Sequence, residues 1–210
     1  MKPTNWSEAL QPLLDKYKST PHPLDYKNLY ELLVMVVLAA QTTDKLVNDI
    51  APLLFKAFPN MKALSKADAE SIYPFTSKVR NFRNKTKWLM EISQAIKEDK
   101  NIPVTLDALT SLPGIGRKSA NVIMREAGAE AEGVVVDLHV VRVAPRLGIA
   151  SGDNPTKIET QIMASIPQKD WGQIGMAISF LGREICRPTD PDCENCIVKQ
   201  VCEHYREGLC

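Results

Sequence analysis

The sequence has few strand patterns, no long apolar segment and no cysteine before position 186. Its longest apolar run, Leu32–Ala40, has about half the roughly 20 residues that a helix needs to cross a bilayer. No apolar core follows a basic cluster at the amino terminus, so no export signal is expected. The net charge of +1 gives no general basic field, and any surface for nucleic acid must be local. We expect a cytoplasmic or nucleoid-associated protein of one or two domains.

Helical periodicity is present along almost the whole chain, without internal repeats or heptads. Leu10, Leu13, Leu14 and Tyr17 share one face of a first helix, and the second half of "DYKNLYELLVMVVLAAQTT" is apolar nearly all round, which is typical of a central buried helix. The stretch "GVVVDLHVVRVAPRLGI" begins with β-branched residues, but a single strand would lack a partner. We therefore predict a loop that leads into a helix capped by Asp137, and an all-α fold.

The stretch "SLPGIGRKSANVIM", from Ser111, predicts two helices joined by a tight turn. Backbone N–H groups around Gly114 and Gly116 would lie at the positive end of the second helix, where an anion binds favourably. The glycines also permit the sharp turn and close approach of a phosphate. Leu112 and Ile115 on either side favour a phosphate-binding hairpin over a plain interhelical turn. Because no strand precedes the turn, a dinucleotide-binding fold is not expected.

Lys118 and Asp137 are candidates for chemistry. A lysine amine attacks only when neutral, and at its reference pKa about one in a thousand is neutral near pH 7.4, a handicap of roughly 4 kcal/mol. Desolvation or a basic neighbour lowers that pKa, and the amine can then form a Schiff base with a sugar aldehyde. A nearby carboxylate can accept a proton or stabilise a cationic sugar-like transition state. These two residues alone favour the simpler interpretation, a phosphate-contacting lysine and a helix-capping aspartate.

The five cysteines all lie in the last 25 residues, which is unlike the spread of a disulfide-stapled secreted domain. Cys186, Cys193, Cys196 and Cys202 are spaced C-x6-C-x2-C-x5-C. Zinc sites usually use two close-spaced pairs, whereas four cysteines in one loop suit a [4Fe–4S] cluster better. The alternative is a set of free thiols, or oxidised cysteines unusual for a cytosolic protein. Cys210 falls outside the spacing, and we predict a free thiol there.

Several stretches together resemble the endonuclease III family of helix-hairpin-helix DNA glycosylases. They are "ELLVMVVLAAQTTDKLVN", "LPGIGRKSANVIM", "VVVDLHVVRVAPRLG" and "GREIC" with the cysteine loop, and the similarity covers almost the whole chain. Adenine glycosylases of this superfamily have a cluster but lack the lysine that Lys118 matches. The 8-oxoguanine enzymes have the lysine but usually no cluster. Lys118 together with the cysteine loop is therefore most similar to the endonuclease III branch.

The resemblance implies two all-α domains that flank a DNA-binding cleft. Residues 23–131 would form a six-helix barrel with the helix-hairpin-helix, and residues 1–22 with 132–210 a discontinuous domain that carries the cluster loop, 186–202. The implied enzyme is a monomeric bifunctional DNA glycosylase and AP lyase of base excision repair, with no membrane association. It would flip an oxidised pyrimidine out of duplex DNA, or act on an AP site. Lys118 would attack C1′ and nick the strand by β-elimination through a Schiff base, with Asp137 assisting.

The resemblance also implies which residues contact DNA. Gln41 matches the residue that fills the gap left by the flipped base, and His139 matches one near the DNA backbone. A second wedge residue would be Asn81 or its neighbour Phe82. The expected contacts of the hairpin come from Leu112, Gly114, Ile115, Gly116 and Arg117.

Three stretches depart from the family pattern. A longer and more basic segment begins at residue 72. Two interpretations of its basic residues stay open, contact with phosphates and a solvated helix face: Lys78, Arg80, Arg83, Lys85 and Lys87. Leu138 stands where threonine is common. The first cysteine loop, "CRPTDPDC", is acidic where the family is usually basic. Two alternatives remain open: a narrowed activity, on AP sites or mismatched thymine, or a non-catalytic DNA-binding or redox-sensing homologue.

Overall fold

The all-α prediction is confirmed by a computed structural model that describes residues 5–210. Within these residues the chain forms thirteen α-helices and two short 3₁₀-helices, without a strand. The β-branched segment before Asp137 is a loop, as predicted. None of the helices in the described part is both long enough and apolar enough to span a bilayer.

The helices are numbered in chain order: α1 Trp6–Ala9, α2 Gln11–Tyr17, α3 Leu29–Ala39, α4 Asp44–Ala57, α5 Met61–Leu64, α6 Ala69–Thr76, α7 Phe82–Ile96, α8 Leu106–Thr110, α9 Arg117–Glu126, α10 Leu138–Leu147, α11 Pro155–Ser165, α12 Gln168–Glu184 and α13 Glu203–Arg206. The two 3₁₀-helices are Asp99–Asn101 and Lys199–Val201.

The chain divides into two compact units. One is Pro21–Ala129, and the other combines Glu130–Cys210 with the described part of residues 1–20. The predicted boundaries, 23–131 and 1–22 with 132–210, differ from these by two residues. Residues 1–4 of the predicted second domain lie outside the described residues. The roles as barrel domain and cluster domain, and the cleft, stay predictions.

The core of the Pro21–Ala129 unit is built around α3. Every residue from 32 to 38 is at most 6 % exposed, as the all-round apolar pattern predicts. Asn28 caps the helix, because its side-chain oxygen accepts a hydrogen bond from Glu31 N at 2.9 Å. Helices α4, α7 and α9 pack against α3. This arrangement fixes the carboxyl end of α3, where Gln41 follows.

The second unit is organised around α12, which packs against α10 and α2. Gly182 permits the close approach of α10, since a Cβ there would lie 2.9 Å from His139 Cβ and 3.0 Å from Val143 Cγ2. Tyr17 OH donates to the Glu184 carboxylate at 2.8 Å and ties α2 to α12. The amino end of α10, where Asp137 lies, is thereby held against a buried helix.

Candidate active site

The predicted hairpin joins α8 to α9. Its turn is closed by Ile115 N, which donates to Leu112 O at 3.2 Å, and Ile115 is buried beneath it. Gly116 precedes α9 as its N-cap, and no side chain caps that helix end. The positive end of α9 therefore lies beside the exposed residues Gly114, Gly116 and Arg117, as an anion site requires.

Gly114 is the one hairpin position that only glycine fits. Its φ is +77°, and an added Cβ would lie 2.4 Å from Cε3 of Trp88 in α7. Trp88 thus packs directly behind the turn and sets its position relative to α7. The sequence pattern did not single out Trp88, because an indole on an amphipathic helix is ordinarily a core residue.

Lys118 is exposed in the first turn of α9. Its positive charge affects the pKa of His22, which lies in the same unit. Burial lowers the pKa of His22, and the positive charges of Lys118 and Arg125 lower it further. The carboxylate of Glu126 has the opposite effect, smaller than that of burial, and raises it. Leu24 N donates to His22 Nδ1 at 3.1 Å, which is consistent with a neutral ring. Lys118 therefore has an uncharged imidazole in its surroundings.

Asp137 is the N-cap of α10, and its carboxylate receives three hydrogen bonds. Oδ1 accepts from His139 N and from Val140 N, both at 2.9 Å. Oδ2 accepts from Ser179 Oγ in α12 at 2.6 Å. Ser179 is completely buried. Both carboxylate oxygens are thus held in place, one of them by a residue that sequence reasoning missed, because a serine within an apolar helix carries no pattern of its own.

His139 lies half-buried beside Asp137. Arg142 Nη2 donates to His139 Nδ1 at 3.2 Å, and since arginine has only donors, this ring nitrogen is an acceptor. Burial lowers the pKa of His139, which agrees with a neutral ring. A contact from His139 to a phosphate would therefore be a neutral Nε2–H bond. Leu138, just before it, is 83 % exposed.

Gln41 lies exposed in the turn after α3 and has a φ of +55°. Lys85, one of the candidates for phosphate contact, lies behind this turn and is only 2 % exposed. Its ammonium donates to Leu38 O, Ala40 O and Thr42 Oγ1. Both alternatives for Lys85, contact with phosphates and a solvated helix face, are wrong, because its position on α7 directs the side chain inward to the carboxyl end of α3. The other basic residues of the segment are exposed, and phosphate contact stays a prediction for them: Lys78, Arg80, Arg83 and Lys87.

The two candidates for a second wedge differ in their packing. Phe82 is half-buried and packs edge-to-face on Tyr73, with ring centroids 5.4 Å apart. Asn81 is exposed, has a φ of +57° and accepts a hydrogen bond from Asn84 Nδ2 at 3.0 Å. Asn81 is therefore the residue of the pair that is presented to solvent.

The four cysteines of the predicted cluster line one cavity with apolar neighbours from α10 and α12. Cys186, Cys196 and Cys202 are free thiols. Cys193 forms a disulfide with Cys210, so the prediction of a free thiol at Cys210 is wrong. The reason is that the chain turns back after α13, where Leu209 N donates to His204 O at 3.1 Å and brings the last residue to Cys193. In the described residues, no group of three or more potential metal ligands is arranged to hold a metal ion.

The donor set at this cavity nevertheless suits an iron–sulfur cluster. Four soft sulfur donors border one pocket, and Arg146 Nη1 donates to Cys186 Sγ at 3.4 Å, a contact that stabilises a bound thiolate. The residues therefore fit the cluster on condition that the bond between Cys193 and Cys210 is reduced.

Comparison with known proteins identifies the family. Residues 34–168 match the HhH-GPD superfamily of base excision DNA repair proteins. Endonuclease III of Synechocystis sp. is 36% identical over 198 residues, which cover 93% of this chain and 90% of that protein. Endonuclease III of Bacillus subtilis is 34% identical over 204 residues, 95% of this chain and 91% of that protein. The chain belongs to the endonuclease III family.

A solved structure agrees with this assignment. The structure of a trapped endonuclease III–DNA covalent intermediate, an estranged-adenine complex, matches with a TM-score of 0.84 and 29% identity, over 97% of this chain and 96% of that one. The enzyme is accordingly a DNA glycosylase and AP lyase of base excision repair. This confirms the predicted activity class.

Proposed function

We propose that this endonuclease III relative excises oxidised pyrimidines from duplex DNA and then nicks the strand through a Schiff base on Lys118. The observation that carries the proposal is the position of Lys118, which is exposed in the first turn of α9 and follows the Gly114–Gly116 turn in the chain. A phosphate held by the turn would leave the sugar of a neighbouring nucleotide within reach of the amine.

The chemistry proceeds in two stages. Lys118 Nζ attacks C1′ as the damaged base leaves, which exchanges the glycosidic C–N bond for a bond to the enzyme. The C1′–O4′ bond of the sugar ring then breaks as the nitrogen lone pair forms the C=N bond of the Schiff base, and O4′ takes a proton. The Schiff base acidifies the C2′ proton, and loss of that proton to a base breaks the C3′–O bond and expels the 3′ phosphate. Asp137 assists the departure of the base and the activation of the amine, since the attack requires neutral Lys118. The three hydrogen bonds to Asp137 keep its carboxylate in one orientation for this task.

DNA would be held by groups that the resemblance and the geometry both support. The hairpin backbone binds a phosphate, Gln41 fills the gap in the base stack, and neutral His139 donates one hydrogen bond to the backbone. The enzyme acts as a monomer in this proposal. Each phosphate contact by a lysine or arginine adds to the salt dependence of binding.

The [4Fe–4S] cluster would be held by Cys186, Cys193, Cys196 and Cys202. When bound, such a cluster can transfer electrons, but glycosidic cleavage and β-elimination require no electron transfer, so its role here is to shape the second unit. Cys193 can bind the cluster only as a thiolate, so the disulfide between Cys193 and Cys210 would be reduced in the enzyme that carries the cluster.

A lesion panel tests the proposal. The wild type, Lys118→Ala and Asp137→Asn are compared on duplexes that contain thymine glycol, 8-oxoguanine, a T·G mismatch or an AP site. We expect thymine glycol to be removed fastest and Asp137→Asn to slow excision by about 100-fold or more with little change in DNA affinity. Activity on AP sites without activity on thymine glycol would overturn the substrate class. Equal losses of excision and binding would identify Asp137 as only a structural cap.

The T·G duplex also tests a second candidate function. Leu138 is an exposed apolar side chain directly beside Asp137, where threonine is common in the family. An apolar side chain at this place favours contact with the 5-methyl group of thymine. Fast removal of mismatched thymine, lost in Leu138→Thr, would make this narrower specificity the main activity.

A further inference from the structure

The turn that presents Gln41 is strained. Thr42 N donates to Ala39 O at 2.9 Å, Ala40 has φ −55° and ψ 113°, and Gln41 has φ +55°. These values are those of a type II turn, in which the third position favours glycine or asparagine. A glutamine adopts a positive φ at a cost, and such a conformation persists only where its surroundings determine it.

Lys85 supplies those surroundings. Its Nζ donates to Leu38 O at 2.7 Å, to Ala40 O at 2.6 Å and to Thr42 Oγ1 at 3.0 Å. Two of these acceptors belong to the residues directly before and after Gln41. Three acceptors satisfy all three protons of an ammonium group, and a positive charge at the carboxyl end of α3 also complements the helix dipole.

The backbone of α7 at Lys85 is held in place by the neighbouring residue. The next residue of α7, Thr86, shares a hydrogen bond of 2.9 Å with Thr76 of α6, and both threonines are completely buried. Burial lowers the pKa of Lys85 to about 8, so the charged form still predominates at neutral pH. Charged side chains are rarely buried without an ionic partner, and this one is used to bind backbone and a hydroxyl around a single turn.

We propose that Lys85 is a positioning residue that holds the turn in its strained form and so preorganises Gln41 for insertion into the base stack. Preorganisation lowers the cost of ordering Gln41 on damaged DNA, whereas undamaged DNA without a gap gains nothing from it. The inference rests on the proposed role of Gln41. Lys85 would thus take part in lesion recognition although its buried side chain does not contact DNA.

A double-mutant cycle tests this inference by binding alone. The ligand is a duplex with a tetrahydrofuran site, an AP-site analogue that has no reactive C1′ substituent, and the readout is its affinity relative to an undamaged duplex at the same salt concentration. Lys85→Met removes the ammonium and keeps a long unbranched side chain. Lys66→Met, at an exposed site in the same unit, controls for the loss of one positive charge.

We expect Gln41→Ala and Lys85→Met each to lower the preference for the tetrahydrofuran duplex by about tenfold, and the double variant to lose no more than either one. Lys66→Met should keep the preference. Additive losses in the double variant would show that Lys85 acts only on general stability and would overturn the inference. A normal preference in Gln41→Ala would instead refute the role of Gln41, and the inference with it.

Thr42→Val keeps the test decisive if Lys85→Met does not fold. It removes one acceptor with almost no change of shape. We expect a smaller loss of preference than for Lys85→Met, and no further loss when it is combined with Gln41→Ala. An unchanged preference in Thr42→Val would contradict the positioning role of Lys85. So would a loss in the Gln41→Ala background as large as the loss that Thr42→Val causes alone.

Discussion

Replacing Ser179 by alanine should slow base excision, although the buried side chain of residue 179 is not exposed to contact DNA. The substitution removes one hydroxyl, at 2.6 Å from Asp137 Oδ2, and leaves the two bonds from His139 N and Val140 N to Oδ1. A hydrogen bond to a charged group contributes about 1.5–3 kcal/mol, and 1.4 kcal/mol corresponds to about tenfold in rate. If about half of this energy orients the carboxylate in the transition state, excision slows by roughly three- to twelvefold.

The assay is single-turnover excision of thymine glycol, with urea unfolding of the same preparations. The matched control is Ser93→Ala, because Ser93 is equally buried in a helix but donates to Met90 O within the Pro21–Ala129 unit. We expect both variants to lose about 1–2 kcal/mol of unfolding free energy, and only Ser179→Ala to lose excision rate. Equal rates in the two variants, or a wild-type rate in Ser179→Ala, would refute the positioning of Asp137 by Ser179.

Three further predictions concern the rest of the chain. Gly114→Ala should lower the unfolding free energy by about 2–4 kcal/mol, because of its positive φ and the tryptophan behind it, while Gly116→Ala, with open space around its Cβ, should remain close to wild type in urea unfolding; equal midpoints would contradict this. Folding depresses the pKa of His22 below its unfolded value of about 6.5, so its contribution to stability is complete above that pH and is lost as the pH falls toward the folded pKa. In urea titrations at about pH 7.5 and about pH 5, His22→Asn should lose less stability on acidification than wild type, and parallel losses would refute the assignment. Under reducing conditions, Cys210→Ser should bind iron stoichiometrically and absorb near about 400 nm, whereas Cys193→Ser should not; iron loss in Cys210→Ser, or zinc in a colourless active preparation, would contradict the proposed ligand set.

Periodicity and capping rules predicted much of the fold. The loop before Asp137 was predictable because a lone strand has no partner, and α3 because its apolar residues recur on every face. The hairpin followed from glycine spacing and the dipole of the helix after it. These features depend on local physics, which a single sequence contains.

Contacts between distant segments were not predictable. Lys85 is one of five basic residues in its segment, and only the packing of α7 on α3 decides that it faces inward. Ser179 and Trp88 gain their roles from partners that are tens of residues away in the chain. Cys210 was misjudged because cysteine spacing cannot show where a chain turns back.

The most direct test of the central claim is borohydride reduction of the enzyme on AP-site DNA, followed by peptide mapping of the adduct. We expect a covalent complex with the DNA attached to Lys118 Nζ, and no complex with Lys118→Ala. No adduct in wild type, or an equal adduct in Lys118→Ala, would contradict the assignment of Lys118 as the nucleophile.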